Sequence, residues 1–111
     1  MSGRGWHLLK EDSRVLLARR LPIRFDVAVT TELPGLRLVP LVHMIRQDFW
    51  RALRHLRGFA PVVEAQEDPS GTRVTAGGQV VGRIALGPVK DRLRIVLEDV
   101  PNRTRWIRCA R

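Results

Sequence analysis

Pro40-Leu41-Val42-His43-Met44-Ile45-Arg46-Gln47-Asp48-Phe49-Trp50-Arg51-Ala52-Leu53-Arg54-His55-Leu56-Arg57 is the stretch that decides the fold class. Placed at 100° per residue, Leu38, Leu41, Val42, Ile45, Phe49, Ala52, Leu53 and Leu56 fall within a stripe of roughly 120°. The spacing predicts an amphipathic helix from about Pro40, a residue favoured in the first turn, to Arg57, with Gly58 as the stop.

On its N-terminal side the period changes from helix to strand. Ile23, Phe25, Val27 and Val29 alternate with Arg24, Asp26, Ala28 and Thr30, which predicts a half-buried strand over 23–30, broken by Glu32-Leu33-Pro34-Gly35. Earlier still, Trp6-His7-Leu8-Leu9 and Val15-Leu16-Leu17-Ala18 flank a polar turn and suit a hairpin, with a short helix over 11–20 as the rival.

On its C-terminal side, Phe59–Glu67 and Thr72–Ala76 read as a hairpin about Asp68-Pro69-Ser70-Gly71. Gly77-Gly78 reads as a second tight turn into a third strand over 79–86. A last helix then opens near Pro88, with Leu86, Val89, Leu93, Val96 and Val100 on one face. Asn102 caps a short helix through Arg108.

Strands and helices therefore mix in the order β-α-β-β-(β)-α. The expectation is an α+β fold with an antiparallel or mixed sheet of three to five strands and two main helices on one face. Residues 1–5 are expected to be a loose end, and 6–111 a single domain with a basic tail from about 101. The helix at 40–57, three short strands and the helix at 88–99 give an order, α-β-β-β-α, that resembles double-stranded RNA-binding domains, and Val74–Gly82 looks like their middle strands. Only Val89-Lys90-Asp91 stands where that family's last helix begins with basic residues, and Leu93 and Val96 replace its alanine-rich packing face. The chain is not assigned to the family.

Charge narrows the function classes. Of 111 residues 20 are basic, 18 of them arginine, against 11 acidic, for a net charge of +9. Such an excess favours polyanionic partners: RNA or DNA, an anionic membrane surface, or an acidic protein. It is uneven, with net +4 over 37–57, +5 over 83–111 and −2 over 58–82. Two helices on one side of the sheet would gather it into a basic helical side. There His43, Gln47, Trp50, Arg54 and Arg57 form one ridge suited to phosphate contact, cation–π stacking or a protein hot spot. The bland alternative is that Trp50 is covered by the N-terminal segment or the C-terminal tail. Arg19, Arg20 and Arg24 make a second basic cluster around Pro22.

The catalytic inventory is poor. His7, His43 and His55 have no ligand-like spacing, and the single cysteine, Cys109, allows neither an internal disulfide nor a zinc pattern. His43 and Asp48 lie on different helical faces, so they are no ready acid–base couple. No nucleotide-binding glycine loop or nucleophile elbow occurs, and no metal or cofactor is implied. No export signal and no apolar run approaching the roughly 20 residues that cross a bilayer are present, so integral membrane association is excluded and the cytoplasm is the expected location. The expectation is a non-enzymatic basic binding protein associated with nucleic acid or ribonucleoprotein. The alternative is a small accessory subunit of an intracellular protein complex.

Overall fold

A computed structural model describes residues 5–111; the first four residues of the expected loose N-terminal end lie outside it. Five strands form one antiparallel sheet: β1 (His7–Lys10), β2 (Arg14–Ala18), β3 (Val27–Leu33), β4 (Phe59–Asp68) and β5 (Gly71–Val80), in the spatial order β1-β2-β4-β5-β3. Of three helices, α1 (Leu38–Leu53) and α2 (Leu86–Glu98) pack on it and α3 (Val100–Ala110) packs chiefly on those two, giving the expected α+β class.

Register explains which side chains face the helices. Leu17 opposes Val63, Val63 opposes Ala76, and Ala76 opposes Val29, so these four share one face across the sheet. All four belong to the buried core, with Val15, Ala65, Val74, Val27 and Leu33. The helices contribute Leu41, Val42, Ile45, Phe49 and Leu53 from α1, Val89, Leu93, Val96 and Leu97 from α2, and Trp106 and Ala110 from α3. The 3.6-residue stripe of α1 is thus the stripe that is buried.

The strand boundaries depart from local pattern where pairing overrides it. The strand expected at 23–30 begins at Val27 and continues through Glu32 and Leu33, because β5 offers partners as far as Thr72, opposite Leu33. Asp26 is held at its start by Arg24 and by the backbone N–H of Val80. Gly77-Gly78 makes no turn. Both glycines lie inside β5, where a Cβ on Gly77 would stand 1.8 Å from the carbonyl oxygen of Val27, and one on Gly78 2.2 Å from that of Ala60. They let β5 sit close between its two neighbours, and no third strand follows. Between α1 and α2 there are therefore two strands, and the α-β-β-β-α order of double-stranded RNA-binding domains is not met.

The helix ends also shift. α1 starts at Leu38 and stops at Leu53, four residues before Arg57; Gly58, at φ +77°, completes the tight exit into β4. α2 ends before Val100, which is exposed and not on its buried face. Asp99 is the cap of α3, its carboxylate accepting from the backbone N–H of Asn102 at 2.9 Å. The stretch expected as a basic tail is this helix, docked by the fully buried Trp106, with Arg103 donating to Thr31 Oγ1 and to the carbonyl of Glu32.

The segment 19–26 links β2 to β3 past the ends of β4 and β5. Gln79, 5% exposed, donates its side-chain amide to the carbonyl of Pro22, and Arg19 donates its backbone N–H to the carbonyl of Pro61 at 3.0 Å. A peptide bond in this segment, Leu21–Pro22, is cis.

Candidate functional site

Antiparallel pairing sends the loops that follow β2, α1 and β5 to the same end of the sheet, because β2 and β5 end there while β4 and β3 begin there. The connecting residues 19–26, 54–58 and 81–85 carry Arg19, Arg20, Arg24, Arg54, Arg57 and Arg83 against a single acid, Asp26. Arg24 is spent on that acid, Nε to Oδ1 at 2.8 Å, and its guanidinium together with the Val80 N–H holds the Asp26 carboxyl below the usual carboxylate range. Arg20, Arg54, Arg57 and Arg83 are exposed and have no carboxylate partner among the described residues. The first-turn N–H groups of α2 open onto this end without a side-chain cap or an acidic residue, adding positive potential.

The other end of the sheet has the reverse character. Arg14 pairs with Glu11 at 2.8 Å and with Glu64 at 3.3 Å, and Arg73 pairs with Glu32 at 3.1 Å. Arg37 donates to the carbonyls of Cys109 and Arg111. A hollow of about 660 Å³ lies here among Arg37, Glu67, Asp68 and Arg111. Its carboxylates oppose a polyanion, and its Arg37 is already occupied. Charge is thus segregated along the strands as well as gathered over the helices, where α1, α2 and α3 hold eight basic against three acidic residues.

The expected ridge is divided by this geometry. Trp50 lies in the last turn of α1 and Arg54 at its end, while Arg57 leaves the helix and joins the basic end through the following turn. Gln47 is exposed without a partner in this cluster, and His43 is half-buried, its imidazole pushed toward the neutral form by burial and then by Arg46. Trp50 meets Trp6 edge to face at 6.3 Å between ring centroids and stays 39% exposed, so the N-terminal segment covers part of it and leaves part open. Arg19 stands over both indoles, 5.8 Å from Trp6 and 6.0 Å from Trp50, which brings the Pro22 cluster and the ridge together.

Two members of the cluster do not follow from the ridge pattern. Arg46 stacks 5.2 Å from Trp6 with its Nε buried and unpartnered, and Trp6 itself is the wall against which Trp50 rests. The i, i+4 spacing of Arg46 and Trp50 is a legible signal; the approach of Trp6, which stands just before β1, is not.

Apolar side chains are interspersed with these cations. Leu21 is 46%, Val81 55% and Leu86 42% exposed, each in or beside a loop of the basic end. A hollow of about 200 Å³ lies between Arg20, Gly58, Phe59, Ala60 and Val81, and one of about 220 Å³ between Leu56, Ile84, Pro88, Val89 and Arg92. Among the described residues no group of three His, Cys, Asp or Glu side chains is placed to hold a metal ion, and no helix is long and apolar enough to cross a membrane. No protein-family model, curated protein or solved structure matches the chain.

Proposed function

We propose that this is a non-catalytic, cytoplasmic nucleic-acid-binding protein that holds phosphates at the basic end of its sheet. One observation carries the reading: among the described residues Arg20, Arg54, Arg57 and Arg83 stand on three loops of one end without carboxylate partners, while Arg14, Arg37 and Arg73 of the opposite end are matched to acids or carbonyls. Unmatched guanidiniums repel one another, and a polyanion relieves that repulsion while releasing its own counterions.

The test is a filter-binding titration with RNA and with DNA at two salt concentrations. Binding should fall steeply with salt, and replacing Arg54, Arg57 and Arg83 by alanine should flatten the logarithmic slope by about one for each phosphate that is no longer neutralised. Absence of salt-sensitive binding at low ionic strength overturns the reading.

A second reading, a subunit of a protein complex, is favoured by Ile95 and Val100, 69% and 71% exposed on the helical layer. It predicts co-purification with one partner that is abolished in Ile95→Asp.

A further inference from the structure

We infer that the basic end takes single-stranded rather than duplex nucleic acid, with bases laid against Trp50 and the neighbouring apolar side chains; this rests on the function proposed above. The observation is the mixture itself. A surface for a duplex backbone needs cations and hydrogen-bond donors, because the duplex turns its sugar–phosphate chains outward and keeps its base faces stacked. Set against Leu21, Val81, Leu86 and Trp50, the charged phosphates of a duplex would lose hydration without return. Single strands present unstacked base faces together with phosphates, and both classes of side chain then find partners.

The geometry is that of a strip. Trp50 sits beside Arg19, the residue that follows β2, and the hollow bounded by Arg20 and Val81 lies at the neighbouring ends of β4 and β5. Arg83 and Leu86 lie beyond it at the start of α2. With neighbouring strands ~4.8 Å apart, β2 to β5 covers ~10 Å, enough for a short run of extended nucleotides and too narrow to cradle a duplex. Gln79 and the Arg19 backbone fix the 19–26 segment to β4 and β5, so Leu21 and Arg20 are presented from an ordered loop.

The experiment compares a fluorescein-labelled single strand of mixed sequence with the same strand annealed to its complement, by anisotropy at low and moderate salt. Single-stranded binding should be at least tenfold tighter. Trp50→Ala should weaken it about tenfold and Trp50→Phe much less, since stacking tolerates a smaller ring. Val81→Ser, a change on an exposed loop, is a second probe that leaves the core intact and should weaken single-strand binding while sparing salt dependence.

Equal or tighter binding of the duplex overturns the single-strand assignment and leaves the basic-end reading standing. Full affinity in both Trp50→Ala and Val81→Ser overturns it as well. Failure of both nucleic acids to bind overturns this inference and the proposed function together. Capture by phosphatidylserine vesicles without nucleic-acid binding does the same, and assigns the apolar side chains to lipid.

Discussion

Trp106 donates its indole N–H to the carboxylate of Asp48 at 2.8 Å, joining α3 to the middle of α1. The same carboxylate oxygen accepts from Arg105, and its side chain is only 10% exposed. Removing it leaves a donor on a fully buried indole and deprives Arg105 of its counter-charge. Asp48→Ala should lower stability by about 1–3 kcal/mol, and Asp48→Asn, which keeps an acceptor for the indole, by less. Urea unfolding of the three proteins checks the order.

Gly77 and Gly87 make a paired test of what a methyl group meets. On Gly77 it collides with the carbonyl of Val27 at 1.8 Å, so Gly77→Ala must push β3 from β5 and should cost about 1–3 kcal/mol or more. On Gly87, in the first turn of α2, it meets nothing within 4 Å, and Gly87→Ala should raise stability by about 0.4–1 kcal/mol. Opposite shifts of the unfolding midpoint are expected; a neutral Gly77→Ala would contradict the close strand approach.

Gln79 is the anchor of the 19–26 segment, and Gln79→Ala removes its side-chain donor to the Pro22 carbonyl. The segment carries Arg19, Arg20 and Arg24, so trypsin reports on it directly. Cleavage there should accelerate in the variant while global stability changes little. Unchanged cleavage would mean that the backbone bonds of Arg19 and Asp26 suffice to hold it.

Asp26 predicts an acid-side effect. Its carboxyl is held below the usual range by Arg24 and by the Val80 N–H, so the folded state binds its proton less readily than the unfolded chain. Its contribution to stability is complete above the ordinary carboxylate value and disappears as pH falls through the lowered folded value. Asp26→Asn should therefore reduce the loss of stability over that acidic window. Parallel curves for the two proteins would show that the pair with Arg24 is energetically silent.

The parts of this fold that could be read in advance are those governed by local periodicity. The buried stripe of α1 from Leu38 to Leu53 follows from 3.6-residue spacing, and the β4–β5 hairpin follows from its turn at Pro69-Ser70. Where neighbours distant in sequence decide, local pattern misleads. Gly77-Gly78 carries the composition of a turn, yet its role is set by Val27 and Ala60 on flanking strands. The alternation at Ile23 and Phe25 belongs to a connecting segment because pairing with β5 begins only at Val27. The site divides the same way: Trp50 and Arg54 are evident as helix neighbours, whereas Trp6, Arg20 and Arg83 reach the same end only through the order of the sheet.

The separation of matched and unmatched arginines makes the molecule a charged lever as well as a charged body. In the field of a nucleic acid its unpaired pole experiences a torque before any contact forms, so productive collisions are enriched over random ones. On the proposed function arrival would be end-on, and the helical layer bearing the exposed Ile95 and Val100 would be left pointing sideways into solvent. In that attitude a third component would find the helical layer free while the proposed first contact stays intact.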